Sequence, residues 1–300
     1  MKNRILITGA TGNTGMAVVE RLAHMDIPFR AMVHTPAKMN LVKKGQAEIV
    51  AGDFNNAASL DRALAGIERV YLLSPPSPDQ FTLQTGFVDR AKKKGVKHIV
   101  KLSALGTAHD SPVGLLRDHA RIEEHIKGSG IAYTFLRPHF FMENLLMNAG
   151  TVLKDNALYS PLGEARISPI SVQDIGAVAA TVLTKDGHAG KVYTLTGRKA
   201  VSYAEIAWTL GDVLHRSVRY VPVLFDAARQ GMVQAVEDQP ARPLELETVD
   251  ATSGCYGLVR CLWVIALSVR HATSQRPAAC FARAGQGSSS STRKALCLPD

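Results

Sequence analysis

Three glycines, Gly9, Gly12 and Gly15, carry the clearest chemical signal in this 300-residue chain. They follow an apolar run at 5–7 and precede an amphipathic stretch beginning near Asn13, so the segment reads as strand, tight turn and helix. Gly9 lets the chain turn sharply off the strand, and Gly12 leaves room for a pyrophosphate to approach the backbone. Gly15 allows the new helix to pack closely on the sheet. Free amides and the positive end of the helix dipole then face the phosphates. Gly9, Thr11, Gly12, Asn13, Thr14 and Gly15 are therefore the expected phosphate cradle of a dinucleotide.

The next acidic residue decides which dinucleotide. A carboxylate about 20 residues after such a loop holds the ribose hydroxyls of NAD. Residues 27–47 contain no Asp or Glu, and carry Arg30, His34, Lys38, Lys43 and Lys44 instead. An acid would repel a 2′-phosphate and cations attract it, so NADP(H) is expected over NAD(H), with His34 and Lys38 at the adenosine ribose. Arg30 is expected to point elsewhere along its strand. Asp53 and Phe54 follow a third strand and suit the adenine edge, as acceptor and apolar neighbour. Leu73, Ser74, Pro75 and Pro76 form a stiff turn that would flank the cofactor's sugar and pyrophosphate; for the prolines, plain loop punctuation is an equal reading.

These loops need a scaffold, and the pattern supplies one. Apolar strand signals at 5–7, 29–33, 48–51, 69–73, 98–102 and 132–136 alternate with helical stretches including 57–66, 79–94 and 113–128. Such alternation implies an α/β fold, a Rossmann-type doubly wound parallel sheet with loops gathered at the strand C-terminal ends. The expected core is 1–138, with a small substrate lobe at 139–232 whose strands return to the core. In that lobe, Ser171 reads as the N-cap of a helix with Asp174 at its third position, and 202–205 as a capping box. Strands are expected at 166–170, 191–195 and 218–221.

Composition bounds the rest. The net charge of +9 suits an anionic partner such as a dinucleotide. Lys92, Lys93 and Lys94 close a helix before Gly95, where cations favour the dipole, so direct nucleic-acid binding is not expected. No export signal is legible at the N-terminus, and the apolar run 256–269 is broken by Arg260 and too short to span a bilayer. A cytoplasmic protein with no membrane attachment is expected. Residues 233–300 read as an atypical tail: Asp300 is the one acid after 250, and all four cysteines (255, 261, 280, 297) lie there at spacings that fit no zinc site. Two readings of the tail stand, a changed reading frame or splice boundary between about 223 and 255, or a disordered extension.

The loop TGATGNTG at 8–15, KLSALG at 101–106, HARIEEHIKGSGIAYTFLRPHFFMENLL at 119–146 and ISPISVQDIGAVAATVL at 167–183 together resemble the NmrA-like branch of the atypical short-chain dehydrogenase/reductases. The likeness covers about 3–222 and is strongest to its quinone and triphenylmethane reductases. It implies hydride transfer from NADPH to a flat conjugated acceptor, a small aromatic or quinone-like substrate. The wider superfamily uses a Tyr-x-x-x-Lys pair, which none of the seven tyrosines here can supply. In the corresponding helix stand His119 and Glu123, one helical turn apart. Two readings remain open: a general acid with its orienting carboxylate, or a helix-surface ion pair. Ser103 occupies the position of the superfamily's catalytic serine. Pro138 would pack near the nicotinamide and residues 140–142 offer an apolar surface, with Phe140, Phe141 and Asn144 as substrate contacts. The alternative is a non-catalytic NAD(P)-sensing regulator that contacts a protein partner. A nucleotide-sugar epimerase is disfavoured because that chemistry needs the absent tyrosine.

Overall fold

The computed structural model describes residues 4–75, 77–228 and 230, and the backbone of a short strand at Ala282–Arg283. Pro76 and, apart from that strand, the tail at 233–300 lie outside the described residues.

The apolar runs form a parallel sheet of seven strands. These are β1 (Ile5–Ile7), β2 (Phe29–Val33), β3 (Ala47–Ala51), β4 (Arg69–Leu72), β5 (His98–Leu102), β6 (Ala132–Pro138) and, from the lobe sequence, β9 (Lys191–Leu195). Their order is β9-β6-β5-β4-β1-β2-β3, with Ala282–Arg283 antiparallel at the β9 edge. The order reverses between β1 and β4, so a crevice opens there at the strand C-terminal ends.

Alternating side chains divide the core in two. Ile5 and Ile7 face one cluster with α1 (Asn13–His24) and α6 (Val172–Thr184). Leu6 faces the other, beneath α2 (Ala57–Ala63), α3 (Gln80–Lys93) and α4 (Gly114–Ser129). Burial on both faces explains why the strands read as continuous apolar runs.

The lobe is woven into this frame. β9 returns to the main sheet as expected, whereas β11 (Arg219–Pro222) does not; it pairs in parallel with β7 (Ala157–Ser160) in a separate two-stranded sheet. A second small sheet joins β8 (Arg166–Ile167) to β10 (Val201–Ser202), so the strand expected at 166–170 stops three residues early. Between them lie a 3-10 helix (Met142–Asn148), α5 (Ala149–Asp155) and α7 (Tyr203–Leu214), packed on a third apolar cluster around Leu158, Ile167 and Tyr203. The capping box is present, with Ser202 and Glu205 satisfying each other's backbone. At α6 the cap is as expected: Ser171 is the N-cap and accepts from the Gln173 amide, with Asp174 in the first turn, and Glu143 of the 3-10 helix accepts from the Val172 amide at 3.0 Å. Among the described residues no helix is long and apolar enough to cross a membrane.

Candidate active site

The glycine turn lies at the crevice. Gly9 has φ +58°, and a methyl group there would come within 3.0 Å of Leu73 Cγ. Gly12 caps α1, with its amide donating to the Gly9 carbonyl at 3.0 Å and no side chain capping the first turn. The amides of that turn are left to an external acceptor. A methyl on Gly12 would meet only the Gly9 oxygen, at 3.4 Å, so the protein itself leaves this space open. Gly15 differs from the expected role: a methyl there would lie 2.0 Å from the Gly9 oxygen, so it packs on the turn. The close helix packing occurs instead where Gly176 of α6 meets Ala17 of α1, 2.7 Å from a hypothetical methyl. Thr11 is half-buried, Asn13 exposed and Thr14 buried. An open Gly12, a first turn with no side-chain cap and a glycine turn at positive φ fit a dinucleotide pyrophosphate.

Past the end of β2, His34 is exposed and its Nε2 lies 3.6 Å from Asp53 Oδ2. Lys38 is exposed on a 3-10 turn, Pro36–Val42. Arg30 points away, pairing with Glu48 and donating to the carbonyls of Ala63 and Ala65. Asp53 Oδ1 accepts from the Asn55 amide, and the Phe54 ring sits 5.4 Å from Phe87, half in the core beneath α3. At the end of β4, Thr8 Oγ1 donates to the Leu73 carbonyl at 2.7 Å and accepts from its amide at 2.8 Å. This staples the 73–75 turn to the glycine turn.

Between α3 and α4 runs a buried polar network. Glu123 is 2% exposed, and accepts from Ser103 Oγ and from both Nε and Nη2 of Arg137, the Nε bond at 3.0 Å. Glu123 therefore does not orient His119, as the i,i+4 spacing suggested. The helix places both on one side, but Arg137 arrives from β6 with two donors and takes the carboxylate. His119 Nδ1 is buried without a hydrogen-bond partner. Burial, with Lys101 and Arg137 nearby, holds the ring well below the ordinary histidine range, so it is neutral rather than an imidazolium acid. Ser103 stands one residue past β5, buried, its proton spent on Glu123 and its oxygen 3.3 Å from Thr107 Oγ1.

The same network holds residues that sequence reasoning missed. Lys101 of β5 is fully buried, with Nζ donating to Gln84 Oε1 at 2.8 Å and to the Leu102 carbonyl at 3.0 Å. Burial pulls its ammonium down to about 7, partly offset by Glu123. Gln84 Nε2 donates onward to Ser74 Oγ at 2.9 Å. One signal was available: a lysine among the apolar residues at 99–102.

β6 extends through Arg137 and Pro138, two residues beyond expectation, because Pro138 is in register with Leu195. Pro138 is buried, and its carbonyl accepts from the Leu105 amide. The two aromatic rings part company. Phe140 packs on the lobe cluster and Phe141 against the sheet-side core, bridging Ile170. Both are only partly exposed, so the apolar surface rests more on Met142, Leu146 and Met147 than on the rings. Asn144 is half-exposed, its amide bonded to the Phe141 carbonyl. Beside Met142 lies an open cavity of about 370 Å³, bordered by Pro169, Asp174 and Lys199.

A parallel sheet reversing between β1 and β4, with a glycine turn feeding an uncapped helix at the reversal, defines a Rossmann-type dinucleotide-binding protein. The chain belongs to the NmrA-like family, whose model matches residues 1–245. An NAD(P)H azoreductase of Xenophilus azovorans is 39% identical over 228 residues, 76% of this chain and 80% of that protein. The NADPH complex of the quinone oxidoreductase QOR2 from Escherichia coli superposes with a TM-score of 0.75 at 28% identity, over 89% of each chain. The triphenylmethane reductase of Citrobacter sp. gives 0.73 at 26% identity, over 88% of each. The chain is an NAD(P)-binding oxidoreductase of this reductase group.

Proposed function

We propose that the protein reduces a flat conjugated acceptor, such as a quinone or an azo or triphenylmethane dye, using NADPH in preference to NADH. The observation that carries this reading is that the groups lining the crevice are poor acids. The His119 ring is held neutral, the Ser103 hydroxyl is committed to Glu123, and no tyrosine–lysine pair exists. A site of this kind suits acceptors that take a hydride and leave as a stabilised anion or a neutral dye, with positioning supplying most of the rate. When bound, the reduced nicotinamide supplies the hydride. Gly9, Thr11, Gly12, Asn13, Thr14 and Gly15 hold the pyrophosphate, Leu73, Ser74 and Pro75 border it, and Asp53 and Phe54 border the adenine. Pro138 backs the nicotinamide end. Met142 and the exposed parts of Phe140, Phe141 and Asn144 receive the acceptor; Ser103 and His119 shape its floor, and Glu123 anchors Ser103 and Arg137 directly. The preference for NADPH rests on exposed His34 and Lys38 and on the lack of an acid at 27–47. Relatives named as azoreductase, quinone oxidoreductase and triphenylmethane reductase support the acceptor class. The test is steady-state oxidation of NADPH and NADH across a panel of quinones, azo dyes and triphenylmethane dyes. Turnover with several acceptors, and a KM for NADPH about tenfold below that for NADH, are expected. No turnover with any acceptor would defeat the acceptor assignment, and equal cofactor constants the preference.

A further inference from the structure

Lys101 is an unusual occupant of a central strand. Its side chain is fully buried between α3 and α4, where a methionine would fill similar space without the cost of desolvating an ammonium. The groups that surround it define what it does there. An ammonium has donors only, so the oxygen of Gln84 must face it. The amide nitrogen of Gln84 then points the other way and donates to Ser74 Oγ. Ser74 accepts that bond, so its own hydrogen is left over. It lies toward the Pro75 carbonyl at 3.3 Å, a long bond easily exchanged. The Ser74 turn is stapled through Leu73 and Thr8 to the glycine turn. The direction of this hydrogen-bond chain, from Lys101 to Ser74, is thus set at its buried end.

We infer that Lys101 is a positioning residue for the dinucleotide: through Gln84 it fixes the polarity of the Ser74 hydroxyl, which turns its proton to an acceptor oxygen of the bound cofactor. The inference rests on Ser74 bordering the cofactor. A neutral lysine amine can accept, which frees Gln84 to turn over. The Ser74 hydroxyl would then spend its proton on the Gln84 oxygen and none would face the ligand. The other charged or titratable groups around Lys101 are Glu123 and His119 of α4 and Arg137 of β6; α3 presents neutral Gln84. Glu123 is matched by Arg137 and His119 is neutral, so Lys101 is the group in this cluster whose charge changes near neutrality. Cofactor affinity accordingly falls as pH rises through its titration near 7.

The experiment measures NADPH and NADH dissociation constants of the full chain between pH 6 and 9, for wild type, Lys101→Met, Ser74→Ala and Gln84→Glu. Wild type is expected to weaken by about tenfold across this range, the worth of one hydrogen bond. Lys101→Met and Ser74→Ala are expected to bind weakly at pH 6 and to lack that limb. Gln84→Glu replaces the Gln84 donor by a carboxylate that only accepts, so Ser74 spends its proton there whatever the charge on Lys101; this variant too is expected to bind weakly at pH 6 and to lack the limb. Comparing variant and wild-type profiles cancels the titration of the cofactor's 2′-phosphate, which both proteins share. Lys101→Met is also expected to melt higher than wild type at pH 6, the opposite of losing a structural contact. Superimposable profiles for wild type and Lys101→Met, or a wild-type limb retained in Gln84→Glu, would overturn the inference. Failure of wild type to bind either nucleotide at any pH would overturn the dinucleotide assignment instead.

Discussion

Glu123 shows how a single side chain acquires its role from partners far away in sequence. On α4 it stands one turn from His119, and that spacing alone proposes an acid–carboxylate pair. In the folded chain Arg137 supplies a two-pronged partner and Ser103 a third donor, so the carboxylate is saturated before His119 can reach it. Glu123→Gln keeps the shape but leaves Arg137, about a quarter exposed, facing a neutral amide. The expected loss in unfolding free energy is about 3 kcal/mol, measured by denaturant titration. A loss below about 1 kcal/mol would mean that the pair is worth no more than a surface ion pair. The α4 residues themselves were legible as chemistry-bearing because helical periodicity is local. Their partners were not, because Arg137 meets Glu123 only once β6 is laid beside β5.

At the scale of the element, the strand–turn–helix unit at 5–24 was readable in full, since each glycine answers a local constraint. The structure separates those constraints. Gly15 is required by the protein, whereas Gly12 is left open by it. Gly12→Ala is therefore expected to cost about 1 kcal/mol or less in stability, as a poorer N-cap, while weakening NADPH binding about tenfold or more. Gly15→Ala is expected to cost about 3 kcal/mol, because its methyl collides with backbone that cannot yield. Calorimetry paired with a fluorescence titration of each variant separates the two effects; unimpaired NADPH binding by Gly12→Ala would remove the cradle from the site. The strands β1 to β6 were equally legible, being apolar runs with no competing period. The short strands β7 and β10 were not, since two to four residues carry too little pattern to distinguish strand from loop, and β8 was read three residues too long.

For the whole molecule, stability in acid follows from where the fold puts its histidines. His98 of β5 is buried, with Nε2 2.9 Å from Thr134 Oγ1; that hydroxyl donates to the His188 carbonyl, so the histidine must be the donor. Burial lowers its folded value from 6.5 to about 4. The unfolded chain therefore binds the extra proton first as pH falls, and stability present above 6.5 is lost on the way down to about 4. His98 contributes about 3 kcal/mol to that loss, and His119, His139 and His188, also lowered by burial, act in the same direction. Urea denaturation at pH 7 and pH 4.5 measures it, and a His98→Asn variant should show a shallower loss; an equal loss would acquit His98. Composition and periodicity alone determined that this chain forms a doubly wound parallel sheet with a dinucleotide turn at its N-terminus, because strand, turn and helix signals are local and their regular alternation leaves few other topologies. Only the tertiary structure decided that Lys101 is buried between α3 and α4, that Glu123 belongs to Arg137, and that β9 joins the main sheet while β11 does not. Those outcomes depend on which distant segments become neighbours, and a buried charge takes its proton affinity and its partners from that neighbourhood.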